Sequence, residues 1–192
     1  MIESAGNMPL GPTFEYSISS ATVASASHMS GNESRLAFTV EAADLELSAE
    51  NATPFNQMWA YMARTLVALM RGDMPGVAAM YEHFLPLQNR HAFVMSGNRL
   101  LGMTALAAGD PDLAEIHLEE AISFSGEAGF RPQEVWSLHD YAALLLDRDA
   151  PGDREKATEL QDEAIAIATD LGMKLLLERV LAQRSASGGL KA

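Results

Sequence analysis

The sequence predicts an all-α protein whose helices pack in consecutive pairs as a right-handed solenoid, and three observations lead to this prediction. A block of residues around the turn Gly109-Asp110 recurs 43 positions later, around Gly152-Asp153. A repeat of this kind is typical of stacked helical units. Hydrophobic residues make up 48% of the chain but aromatic residues only 7%, a balance that suits close-packed helices. Glycine, proline and aspartate also recur at positions typical of helix boundaries.

These boundary residues predict about three helix pairs and a terminal helix. Asp110 can cap the helix that follows it, with Pro111 at the first helical position, where a missing N–H costs nothing. Gly129 can take the left-handed conformation that closes this helix. The predicted helices span about residues 54–70, 75–87, 92–108, 111–129, 132–147, 153–171 and 173–184.

Small residues at helical spacing predict where paired helices approach closely. Ala114, Leu118 and Ala121 lie at positions i, i+4 and i+7, on one face of a helix. Small residues at equivalent places in the preceding helices would let two antiparallel helices come together. The residues assigned to the repeat framework are Gly72, Gly102, Gly109, Ala114, Leu118, Ala121, Gly129, Ala142, Gly152, Ala157, Ala164 and Gly172.

Changes in composition predict three segments. Residues 1–50 are rich in Ser and Ala, with little periodicity up to about residue 34, so we expect a flexible leader. Within it, residues 35–50 fit either a strand-like alternation or a helical stripe, and we favour a short helix. Residues 51–185 form the predicted repeat domain and residues 186–192 a frayed tail. No signal peptide or membrane span is expected, so the predicted location is the cytoplasm.

The charge and the reactive residues argue against several functions. The formal net charge is −13, and such an acidic surface repels nucleic-acid phosphates and anionic lipids, so we expect neither as a partner. There is no cysteine, and the five histidines form no pair at metal-ligand spacing, so no metal or other cofactor is expected. No nucleophile belongs to a recognisable catalytic motif. The sequence therefore predicts no catalytic residues and no enzyme.

Two acidic groups are interpreted as solvated surface. The first group is Glu115, Glu119, Glu120 and Glu127, on one predicted helix face. The second is Asp147, Asp149, Asp153 and Glu155, around one turn between helices. Because the second group lacks the alternating oxygens of a calcium loop, capping and solubility explain it better.

The repeat region, over roughly residues 54–185, resembles a known family. Ala114, Leu118 and Ala121, together with the small Gly102 before them, follow the tetratricopeptide signature. Further stretches are similar to the C-terminal repeat region of large bacterial signalling regulators: MYEHFLPL (80–87), DYAALLL (140–146), PGDREKA (151–157) and DLGM (170–173). Those proteins carry an AAA-type or nucleotide-binding ATPase with a LuxR-type helix-turn-helix or a class III nucleotide cyclase. This chain has no phosphate-loop, cyclase or recognition-helix motif, so those activities do not transfer to it.

The resemblance implies that the first helix of each pair lines a concave groove. Counting from the Gly-Asp turns gives two rows of equivalent positions: Trp59, Ser96 and Trp136, and one turn further Met62, Arg99 and His139. Tryptophan and arginine are residue types that often anchor a bound peptide. We therefore expect a partner-binding groove along these rows, with Arg99 and His139 contacting an acidic group. Ordinary packing between repeats is the alternative for Trp59 and Trp136.

The sequence thus predicts a non-catalytic scaffold that binds a protein or peptide, similar to the sensor or regulatory repeats of a bacterial signal-transduction or transcriptional regulator. One alternative is a self-association module, in which the repeats stack on a second copy as a homo-oligomer. Another is a piece of a LuxR-type regulator or nucleotide cyclase with no activity of its own. The identity of the partner does not follow from the residues.

Overall fold

The protein is helical almost throughout, as a computed structural model shows for residues 14–92 and 95–188. This confirms the predicted all-α fold class. The chain forms two compact units, Met1–Phe84 (unit one) and Leu85–Ala192 (unit two). The predicted repeat domain, residues 51–185, contains helices from both units, and its limits stay a prediction.

The described part of unit one contains three long helices that pack against one another and two short ones. Its helices are α1 (Phe14–Ser30), α2 (Leu36–Ser48), α3 (Pro54–Arg71), α4 (Met74–Ala78) and α5 (Tyr81–Phe84). Before α3, the Thr53 side chain accepts a hydrogen bond from the Asn56 N–H at 3.2 Å. The helix ends at Gly72, whose φ of 70° is the left-handed conformation that glycine favours.

Helix α1 corrects the expectation of a flexible leader for residues 14–30, while residues 1–13 lie outside the described part. Ala21 and Ala24 are fully buried, so small side chains let α1 pack closely. Its hydroxyls bond to the helix itself: the Ser20 Oγ donates to the Ser17 carbonyl at 2.8 Å. Serine-rich sequence shows little apolar periodicity, and tertiary packing decides the conformation here. Of the two alternatives for residues 35–50, the helix is the one formed, as α2.

The predicted helix over residues 75–87 is interrupted. Within unit one it becomes α4 and α5, and unit two begins with a 3-10 turn, Leu85–Leu87. The His83 ring of α5 stacks on Tyr61 of α3, with ring centroids 3.7 Å apart. Pro86 lacks an N–H and cannot continue an α-helical hydrogen-bond ladder. Two short helices and a 3-10 turn, which contains this proline, therefore replace the single predicted helix.

The described residues of unit two form five helices, and each helix packs against the preceding one. They are α6 (Gly97–Ala107), α7 (Pro111–Glu127), α8 (Arg131–Arg148), α9 (Asp153–Asp170) and α10 (Lys174–Gly188). Helix α8 also contacts α6 on one side and α10 on the other. The buried cluster on which α8, α9 and α10 meet is Val135, Trp136, Leu138, Ala164, Ala168, Leu176 and Val180. Of the predicted tail, residues 186–188 continue α10, and residues 189–192 lie outside the described part.

The third predicted helix starts at Gly97 rather than at residue 92. Two short antiparallel strands precede it, β1 (His91–Ala92) and β2 (Met95–Ser96). The Asn98 side chain accepts from the Asn89 N–H and donates to the Asn89 Oδ1, both at 2.8 Å. A Cβ added to Gly97 would lie 2.0 Å from the Leu87 carbonyl oxygen, so only glycine fits there. These contacts fold the segment back, and an apolar pattern along the sequence does not reveal them.

The two repeated turns share a backbone conformation but not the role of their aspartate. Gly109 and Gly152 have φ values of 81° and 93°. Asp110 accepts a hydrogen bond from the Leu113 N–H at 3.0 Å, as a helix cap does. Asp153 instead binds the guanidinium of Arg148. The other framework glycines with positive φ are Gly72, Gly129 and Gly172.

The small residues of the framework lie where helices meet. A Cβ added to Gly102 of α6 would lie 2.8 Å from the Leu118 Cγ of α7, so these two helices are in close contact. The framework residues that are buried, at 0–1% exposure, are Ala114, Leu118, Ala121, Ala142, Ala157 and Ala164.

Candidate functional site

Two of the residues predicted to line a groove, Trp59 and Met62, lie on α3 of unit one. Their exposed fractions are 3% and 0%, so both belong to the core of that unit. Phe55, one turn before Trp59, is 55% exposed and packs edge-on against the Trp59 ring at a centroid distance of 5.8 Å. The exposed aromatic surface at this place therefore belongs to Phe55, which the repeat register did not select.

Ser96 of unit two, predicted to be equivalent to Trp59, ends strand β2 and is fully buried. It precedes α6 but its side chain does not cap that helix. Its hydroxyl has no hydrogen-bond partner among the described residues. Ser96 thus occupies the start of α6 without contributing surface for a ligand.

Arg99, Trp136 and His139, also predicted, are brought together in unit two with Asp140 and Arg179. We call these five residues the Arg99 cluster. The Arg99 Nε donates to the Asp140 Oδ2 at 2.6 Å, and its guanidinium carbon lies 4.9 Å from the Trp136 ring centroid. The Arg179 guanidinium carbon lies 5.4 Å from the same ring. The cluster thereby joins one side chain of α6, three of α8 and one of α10.

The ion pair at the centre of the Arg99 cluster is well shielded from water. The Arg99 side chain is 3% exposed and that of Asp140 is 20% exposed. Burial alone would raise the pKa of Asp140, but the Arg99 charge and the neighbouring His139, at 3.3 Å, outweigh it and hold the pKa far below its usual range. Because Arg99 is enclosed and engaged, the cluster holds three helices together rather than presenting a cation at the surface.

A second polar group, which the sequence did not reveal, lies between α7, α8 and α9. We call it the polar seam; its members are Glu115, Glu119, Tyr141, Arg148, Asp153 and Lys156. The single proton of the Tyr141 hydroxyl is shared between the carboxylates of Glu115 and Glu119. Arg148 donates to Glu115 at 2.7 Å and, through two nitrogens, to Asp153 at 2.8 and 2.9 Å. Three helices are thus connected by charge-assisted hydrogen bonds.

The polar seam corrects the interpretation of Glu115 and Asp153 as solvated surface, because their side chains are only 23% and 8% exposed. Burial would raise the pKa of Glu115, but hydrogen bonds from Tyr141 and Arg148 lower it overall. Lys156 completes the seam, with its Nζ 2.7 Å from the Glu119 Oε1. Asp149 lies outside the seam but is likewise paired, with Arg154 at 2.6 Å. Apart from Arg148 and Asp153, the bonded partners of the seam lie 22–41 residues apart in sequence and carry no local signal by which the seam could have been found.

An open groove of about 350 Å³ lies between α8 and α10. We call it the α8–α10 groove. Its lining residues are Ala143, Leu146 and Asp147 of α8, Arg154 of α9, and Gln183, Ala186 and Ser187 of α10. Both long walls use positions i, i+3 and i+4 of their helices, so each presents one continuous face. Small side chains on both walls leave the space unfilled.

Most polar groups of the α8–α10 groove are already engaged. The Gln183 Nε2 donates to the His139 carbonyl at 3.2 Å, and its Oε1 accepts from Gln161 at 3.1 Å. Arg154 donates to both carboxylate oxygens of Asp149. The carboxylate of Asp147, by contrast, is exposed and has no hydrogen bond or ion pair with any described residue. It is therefore the ionic group of this groove that remains available to a ligand.

Unit one carries another open groove, along the outer face of α2. Its lining comes from residues 37–48 of that single helix, with Arg71 at one end. Asp44 in this lining is already paired with Arg64 at 2.5 Å. A groove built on one helix face holds a ligand from one side only, which makes it the weaker candidate.

Across residues 14–92 and 95–188, no group of three or more His, Cys, Asp or Glu side chains is arranged to hold a metal ion. Within the same ranges, no helix has both the length and the apolar character needed to cross a membrane.

No protein-family model, curated protein or solved structure matches this chain. The geometry of the chain itself is therefore the basis for any functional conclusion.

Proposed function

We propose that unit two is a non-catalytic interaction module that binds a protein or peptide partner in the α8–α10 groove. The observation that carries the proposal is this groove, which α8 and α10 wall and which stays unfilled where Ala143, Ala186 and Ser187 are small. Concave sites of a few hundred cubic ångströms that combine apolar surface with a small number of polar groups are typical ligand sites.

The arrangement of unit two also supports a finer proposal about its fold. Helices α6 and α8 are the first helices of successive pairs, α10 follows the second pair, and α8 contacts both α6 and α10. This is the arrangement expected of a tetratricopeptide-like solenoid, in which the first helices line the binding surface. Together with the sequence resemblance, it supports a role as the sensor or scaffold repeats of a bacterial cytoplasmic signalling regulator.

Selection from a random peptide library on immobilised full-length protein tests the proposal. A filled groove should abolish binding, so peptides selected on the wild type should not bind an Ala186→Leu variant. The matched control is Ala166→Leu, an exposed alanine on α9 outside the groove lining, which should bind normally. Peptides that bind both variants and the wild type equally, or no enriched peptide at all, would overturn the proposal.

A second candidate function is self-association, which exposed leucines at the end of unit two favour. Leu175 and Leu181 of α10 are 58% and 44% exposed, and Leu171, just before α10, is 38% exposed. Light scattering coupled to size exclusion should then show a dimer that Leu175→Glu converts to a monomer. A monomeric wild type at all concentrations would exclude this function.

A further inference from the structure

The charges that line the α8–α10 groove indicate what kind of partner it binds, an inference that rests on the proposed function. We infer that the α8–α10 groove binds a segment of a partner protein that carries a lysine or arginine, with the cationic group on the Asp147 carboxylate. The inference concerns the class of residue that the partner presents, and it follows from the charges that the groove leaves uncompensated.

The cations at this end of unit two are already paired, whereas one carboxylate is not. The guanidinium of Arg154 is held by Asp149, and that of Arg148 is shared by Asp153 and Glu115. Both cations therefore already have carboxylate partners. Asp147 has none among the described residues, so one negative charge remains on the groove wall.

The electrostatic field around this carboxylate favours a cation. Asp147 lies in the last turn of α8, which ends at Arg148. The carbonyl groups at the C-terminal end of a helix carry partial negative charge and favour a nearby cation. The whole chain adds a net charge of −13, which attracts basic segments from a distance and repels acidic ones.

The apolar wall beside Asp147 suits the aliphatic stem of a basic side chain. Ala143 and Leu146 lie on the same face of α8, four residues and one residue before it. Lysine and arginine carry an aliphatic stem that packs along apolar surface while the charged head stays solvated. On the facing wall, Ala186 and Ser187 are small, so the partner backbone has room to approach.

The test uses the peptides selected on the full-length protein. The selected sequences should be enriched in Lys or Arg, and synthetic versions with that residue replaced by Gln should bind more weakly by fluorescence anisotropy. Asp147→Asn should weaken the basic peptide by about two- to fivefold, as expected for loss of an exposed ion pair. The control is Glu159→Gln, which removes the same charge from an exposed, unpaired position of α9 and should change little.

A double-mutant cycle completes the test. If the cationic residue contacts Asp147, the Gln-substituted peptide should bind wild type and Asp147→Asn equally, because the interaction is already absent. Selection of groove-dependent peptides without basic residues would overturn this inference and leave the proposed function standing. Equal effects of Asp147→Asn and Glu159→Gln would do the same. Absence of any groove-dependent peptide would instead overturn the proposed function, and the inference with it.

Discussion

Each unit contains a buried ionisable side chain, but one has a hydrogen-bond partner and the other does not. In unit two, the Arg99 side chain is 3% exposed and faces the Asp140 carboxylate at 2.6 Å. In unit one, Glu46 of α2 is 1% exposed, and neither carboxylate oxygen has a hydrogen-bond partner among the described residues. A buried polar group is tolerated at little cost when it is paired, whereas an unpaired one destabilises the fold. A buried ionisable side chain therefore connects helices in unit two, where it is paired, and costs free energy in unit one, where it is not.

The largest effect is expected when the pair in unit two is broken. Arg99→Met removes the main cation beside Asp140 and leaves this enclosed carboxylate with His139 alone, so we expect a loss of about 3–5 kcal/mol of unfolding free energy. Urea denaturation followed by circular dichroism measures it. The double variant Arg99→Met/Asp140→Leu removes both charges and should recover most of the loss. A loss below 1 kcal/mol for the single variant would show that the pair is not effectively buried.

Acid should break the same pair by titration. The pKa of Asp140 is lower in the folded protein than in the unfolded chain, so its ionised form favours folding. This contribution is fully present above the ordinary aspartate pKa of about 4 and is lost as the pH falls toward the folded-state value. Unfolding free energy should therefore drop below about pH 4, and less steeply in Arg99→Met/Asp140→Leu. Identical acid slopes would contradict a role for Asp140.

Removing the unpaired carboxyl group of unit one should raise the unfolding free energy rather than lower it. Glu46→Met has a similar shape without the polar head, so we expect a gain of about 1–3 kcal/mol. Thermal unfolding measures it as a raised midpoint. Glu46→Gln keeps a polar head in the same place and should gain less than Glu46→Met. Destabilisation by Glu46→Met would contradict the cost assigned to this unpaired carboxylate.

The smallest loss of unfolding free energy is expected in the polar seam, where several hydrogen bonds stabilise the same contact between helices. Tyr141→Phe removes one hydroxyl while Glu115 keeps Arg148, so we expect a loss of about 1 kcal/mol. A change of Arg148→Met should cost more, because Glu115 and Asp153 lose their common cation. Chemical denaturation of both variants compares them. Equal losses would contradict the central position of Arg148.

Most of the helical part of unit two was predictable because its signals are local. Pro111, Gly129 and Gly152 act through their own backbone, and the observed bounds of α7, α8 and α9 lie within two residues of the prediction. The start of α6 was wrong by five residues, because the Asn89–Asn98 hydrogen bonds connect residues nine apart. Helix α1 was missed because serine and alanine leave little periodicity to detect.

The candidate site was predictable only in part. Counting along the repeat selected Arg99, Trp136 and His139, which the fold does bring together. Their partners Asp140 and Arg179 were not selected, because partners on other helices are chosen by packing and not by position along the chain. The α8–α10 groove was not anticipated either: its walls consist of ordinary positions such as Ala143 and Ala186, which become a groove only when two helices face each other.

The sequence by itself determined the helical class, most helix boundaries and the repeated glycine–aspartate turns. Such features depend on the conformational preferences of a few adjacent residues, which composition and spacing display. The tertiary structure alone decided which carboxylates are paired, which tryptophans are enclosed and where a groove stays open. Asp110 and Asp153 show the difference: they are equivalent in the repeat, yet one caps its own helix and the other binds Arg148. Their roles diverge because hydrogen bonding and desolvation depend on neighbours in space, which distant parts of the chain supply.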